Sequence, residues 1–109
     1  MTKAIKIKFT YDKLDTLNEV WNLLDTITPI SAKQKAMLSA IQDVALKLKR
    51  KQVGLEFKYE ATSEYGINLK YHEAYFFEMY LRDICSQFPL GYTRTIVYKY
   101  ADIINQKLA

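Results

Sequence analysis

A chain of 109 residues, half of them hydrophobic and 14% aromatic, has the size of one domain and enough apolar side chains for a core without disulfides or a structural metal. Its net charge of +4 comes from sixteen basic residues against twelve acidic ones, and its single cysteine, Cys85, cannot close an internal disulfide, which fits a reducing compartment. No window approaches the roughly 18 apolar residues of a membrane span, and MTKAIKIKF has no continuous apolar run of the leader type. Residues 1–109 therefore read as one soluble, cytoplasmic α+β domain.

IKIKF (5–9) alternates apolar and polar residues, the period of a strand with one buried face, here Ile5, Ile7 and Phe9. Thr10 then stands where a helix cap is wanted, with Asp12 and Asp15 in the first turn. Leu14, Leu17, Trp21, Leu24 and Ile27 recur at helical spacing. TPIS (28–31) ends that pattern, because the residue before a proline avoids helical geometry, and Ser31 with Gln34 forms a capping box for a second helix. Met37, Ile41, Val44 and Leu48 make its apolar stripe, and Gly54 is read as its stop.

LEFKY (55–59) and INLKY (67–71) repeat the strand pattern of IKIKF, with Leu55, Phe57, Tyr59, Ile67, Leu69 and Tyr71 facing inward. The residues between them, EATSEYG, read as a hairpin loop closed by Gly66. A third helix begins at HEAYFFEMYLRDIC (72–85) and ends near Phe88-Pro89. A fourth spans about Thr93 to Lys107, with Ile96, Tyr100, Ile103 and Ile104 inward. The expected architecture is a small three-stranded, mostly antiparallel sheet covered on one face by four helices, arranged as two helical hairpins. Strand, helix, Pro29, helix is echoed roughly 60 residues later by strand, helix, Pro89, helix, which reads either as a β-α-α pseudo-repeat or as a common unit used twice, since residue identity between the halves is low.

The third helix holds both rare residues. His72-Glu73 opens like a zincin motif, but Phe76 stands where the second histidine must be. Cys85 lies thirteen residues beyond His72, which on a helix is about 220° of rotation and about 20 Å of rise, so the two cannot share an ion or a reaction. His72 reads as a capping or half-exposed residue, Cys85 as a small core residue beside Leu81 and Phe88, and Glu78 with Arg82 as a solvated i, i+4 pair. No glycine-rich phosphate loop or nucleophile elbow is present. No catalytic residue, metal ligand or cofactor is expected, and the chain is read as a non-enzyme.

Two features point outward instead. The third helix is apolar around most of its circumference, more than a small sheet and one packed helix should cover. Tyr75, Met79 and Arg82 share a face at helical spacing and are the expected protein-binding residues, with Phe77, Leu81, Ile84 and Phe88 turned to the core. The expected function is a small interaction or assembly module, homodimeric or part of a larger complex, since a symmetric homodimer is the commonest way to cover such a face. Charge supplies the alternative. Residues 1–53 carry +5 and residues 54–109 carry −1, the excess lying in the second helix at Lys33, Lys35, Lys47, Lys49, Arg50 and Lys51. Those six could track a nucleic-acid backbone without reading sequence, with Arg94 and Tyr98 as a stacking platform. The opposing reading is a solvated helix face whose basic end complements the helix dipole. Thirteen of the sixteen basic residues are lysine, which speaks against bidentate base recognition.

Overall fold

The computed structural model describes residues 4–26, 28–29, 31–58 and 60–109. Its elements run β1 (Ile5–Thr10), α1 (Tyr11–Glu19), a 3₁₀ helix (Val20–Thr26), α2 (Ala32–Leu55), β2 (Glu64–Leu69), α3 (Tyr71–Cys85) and α4 (Tyr92–Leu108). This is an α+β fold. Its sheet has two antiparallel strands among the described residues, where three were expected.

The alternation of β1 is obeyed by the structure: Ile5, Ile7 and Phe9 are buried while Lys6 and Lys8 face water. Thr10 caps α1 by accepting a hydrogen bond from the Lys13 amide at 3.3 Å, and Ser31 caps α2 by accepting from the Gln34 amide at 3.2 Å. The first helical segment is shorter than its apolar spacing implied, because it tightens to 3₁₀ geometry from Val20. Ile27, expected on its inner face, lies outside the described residues.

LEFKY is not a strand. Leu55 is the last residue of α2, Phe57 is 96% exposed, and Tyr59 lies outside the described residues. The physical reason is that Leu55 also continues the stripe of Ile41, Val44 and Leu48 at helical spacing, and all four are buried. Packing along that stripe carries the helix through Gly54, whose helical cost is only about 1 kcal/mol relative to alanine. Gly66, read as the end of a loop, sits within β2 opposite Lys8, and Tyr71 is the first residue of α3 with an exposed ring.

The strands pair Ile5 with Leu69, Ile7 with Ile67 and Phe9 with Tyr65. A shift of 60 positions that carries Ile7 onto Ile67 also carries the α1 cap Thr10 onto the α3 cap Lys70, and Pro29 onto Pro89.

The core lies between the sheet and the helices. Trp21 stacks on Tyr80 at 5.6 Å and meets Phe77 at 5.4 Å, while Tyr100 stacks on Phe9 at 4.7 Å. Each buried tyrosine places its hydroxyl on a backbone carbonyl: Tyr80 donates to Val20 at 2.6 Å and Tyr100 to Lys8 at 2.8 Å. Burial raises the Tyr100 hydroxyl well above its ordinary pKa, helped by the charge of Glu64, so it stays a donor. Trp21 donates to Asn18, which donates to Gln52, which donates to Asp15, and this chain of bonds ties α1 to α2. Gly91 precedes α4 with φ of 158° and ψ of −166°, a conformation that side chains with a Cβ rarely adopt.

Candidate interaction surface

The start of α3 is fixed by Glu73. Its carboxylate accepts from the Lys70 amide at 2.8 Å, closing the first turn, and from Lys47 of α2 at 2.7 Å. Lys70 has only donors on its side chain and returns no cap. Burial by itself pushes the Glu73 carboxyl up, but the Lys47 and Lys70 hydrogen bonds and the charges of Lys47 and His72 outweigh it. The group is held below its ordinary value and is ionised. His72, expected to cap or to lie half-exposed, is exposed, and its neighbour Glu73 does the capping.

With its first turn anchored, α3 divides into two arcs. Ala74, Phe77, Leu81 and Ile84 face the core, and Phe88 beyond the helix is half-buried. Tyr75 is 48% exposed and Met79 38% exposed. Glu78 is not the solvated residue its spacing suggested, being only 8% exposed. Arg82 covers it at 2.8 Å and reaches Asp102 of α4 at 3.1 Å, so the pair has become a bridge between helices. Those contacts turn Arg82 toward α4. They raise its pKa further above the ordinary arginine value, the Glu78 hydrogen bond contributing most.

Tyr75 and Met79 instead line a groove with the N-terminal turns of α2. Met37, Phe76, Tyr75 and Met79 supply its apolar lining, Lys33 and Gln34 part of its polar edge, and its volume is about 380 Å³. The Phe76 ring meets the Tyr75 ring edge to face at 5.4 Å. The structure therefore brings together two of the three expected partner-binding residues and adds Met37 and Phe76. Met37 had been assigned to the core stripe, and its position at the mouth of the α2–α3 contact could not be read from spacing on α2 alone.

The six basic residues of α2 are distributed differently. At about 100° per residue Lys33, Lys47 and Lys51 share one edge of the helix while Lys35, Lys49 and Arg50 lie across it, Lys47 and Lys49 being about 160° apart. Lys47 is committed to Glu73 and lies 3.5 Å from the Asn68 carbonyl. Lys33, Lys35, Lys49 and Arg50 are exposed, and Lys51 is half-buried. Arg94 and Tyr98 do share a shallow pocket, with Leu90, at the start of α4.

Cys85 is buried, and its thiol donates to the Arg82 carbonyl at 3.3 Å. Replacing it with alanine should cost about 1 kcal/mol, the cost of a small cavity and one weak hydrogen bond. Urea denaturation at neutral pH checks this, and a loss above about 3 kcal/mol would contradict a packing role. No group of three His, Cys, Asp or Glu side chains among the described residues is arranged to hold a metal ion. No described helix is long and apolar enough to cross a membrane. No protein-family model, no curated protein and no solved structure matches this chain, so the surface has to be interpreted from its own geometry.

Proposed function

We propose that the chain is a non-enzymatic, cytoplasmic interaction module, a subunit of a larger assembly, whose α2–α3 groove receives an apolar side chain from another protein. The observation that carries this reading is the exposure of Tyr75 and Met79 above an apolar cavity of about 380 Å³. Concave apolar sites with aromatic and methionine linings adapt to inserted anchors. A catalytic site normally adds convergent polar groups with displaced pKa values. Here the buried carboxylate with such a displacement, Glu73, is spent on Lys47 and on capping α3. Two copies of this groove facing each other would leave a void, so a projecting anchor fills it better than a second groove.

A photoactivatable phenylalanine analogue at position 75, in cells that naturally make the protein, tests the reading. Irradiation should give one discrete adduct with another chain, and Met79→Glu should weaken that association about tenfold or more with the circular dichroism unchanged. Absence of any adduct from position 75 would count against the groove as a docking site.

A further inference from the structure

A second group of exposed apolar side chains lies toward the other end of α2. Leu46 is 46% exposed, Val53 70% and Phe57 96%. With Arg50 they follow a four-three-four spacing, which aligns them along the outer face of α2, opposite the buried Ile41, Val44 and Leu48. Glu56 keeps right-handed helical geometry and the Lys58 amide bonds the Leu55 carbonyl at 3.0 Å, a tight turn that sets Phe57 just beyond the end of α2.

We propose that this seam is a self-association surface, on which α2 of a second copy lies antiparallel about a two-fold axis. The inference is independent of the groove. Charge complementarity chooses the occupant. Reversing one helix about a point between Arg50 and Val53 sets Leu46 against Phe57 of the second copy and Arg50 against its Val53. Lys49 and Glu56 occupy the same flank of the seam, so the same reversal brings Lys49 near Glu56 of the second copy and Glu56 near its Lys49. Lys49, Arg50 and Glu56 are exposed and make no ion pair among the described residues, which leaves all three available. The arginine within the seam costs some stability but fixes the antiparallel register, its stem lying along apolar surface while its head reaches water. An anionic membrane or a nucleic acid would take the basic residues but would gain nothing from Glu56 on the same flank.

Sedimentation equilibrium over a wide concentration range tests the proposal on the full chain. Wild type should dimerise, and Phe57→Ser should weaken the dimer roughly thirtyfold without altering the monomer's circular dichroism, since the ring touches no core. Lys49→Glu should weaken it as well, and Lys49→Glu with Glu56→Lys should restore it. Met79→Glu should leave it unchanged, which separates this surface from the groove. A wild-type monomer at every concentration would overturn the proposal, as would a dimer indifferent to Phe57→Ser or a charge swap that fails to rescue. Binding of anionic vesicles or of an oligonucleotide through Phe57, with no dimer formed, would also overturn it and assign the seam to that ligand.

Discussion

Phe77→Ala should remove about 3–5 kcal/mol of stability, the range for deleting a fully enclosed aromatic ring. A domain of this size has about 5–15 kcal/mol in total, so a fall in melting temperature of about 15 °C or more is expected. The cause is local and specific. Phe77 has no exposed surface and lies 5.4 Å from the ring of Trp21, which also stacks on Tyr80. The cavity would open between α3 and the 3₁₀ segment, where aromatic rings rather than flexible aliphatic chains would have to close it. Because Trp21 is the single tryptophan, its fluorescence follows the site directly. A loss below about 1.5 kcal/mol would mean that the surroundings collapse readily and that α3 is not the centre of the core.

Glu73→Ala should cost about 2–3 kcal/mol, below the usual price of breaking a buried pair. The carboxylate is only 4% exposed and serves both the Lys70 amide and Lys47. Its loss removes two charge-assisted hydrogen bonds and a helix cap. Lys47 is 38% exposed and can turn to water, which keeps the cost under that of a fully enclosed pair. The pH dependence follows from the direction of the shift. Folding holds the carboxyl below its ordinary value of 4.5, so in that window the unfolded chain binds more protons and stability rises with pH. The contribution is complete above 4.5 and is lost as pH falls through the folded value. The stability difference between wild type and Glu73→Gln, measured by urea denaturation, should therefore shrink on acidification. An unchanged difference at neutral and acidic pH would show that the charge on Glu73 contributes nothing.

Much of the fold was written in local patterns. The strand 5–10 declares itself by alternation, the caps Thr10 and Ser31 by their chemistry, and the two arcs of α3 by helical spacing. LEFKY failed because Leu55 satisfies two periods at once. Five residues of alternation cannot compete with a helical stripe that begins at Ile41, and a helix tolerates Gly54 where other residues pack. That misreading placed Phe57 in the core and hid the exposed seam on α2. The Lys47–Glu73 pair was hidden for another reason. Its partners are 26 residues apart, and nothing in either helix alone indicates that the two will face each other. Arg82 shows the same limit, because Asp102 draws it toward α4 although its spacing places it beside Met79.

The ladder register has a consequence for the order of events in folding. β1 and β2 are separated by more than fifty residues, whereas α3 and α4 are joined by residues 86–91. Closing the longer interval costs more chain entropy before any pairing rewards it, so the helical hairpin precedes the sheet. Changes within the strands should then appear mainly as faster unfolding. During synthesis the difference is sharper. β1 leaves the ribosome well ahead of the strand it must pair with, carrying Ile5, Ile7 and Phe9 uncovered. Lys6 and Lys8, placed between those residues, act as gatekeepers that keep the waiting strand from pairing with another nascent chain.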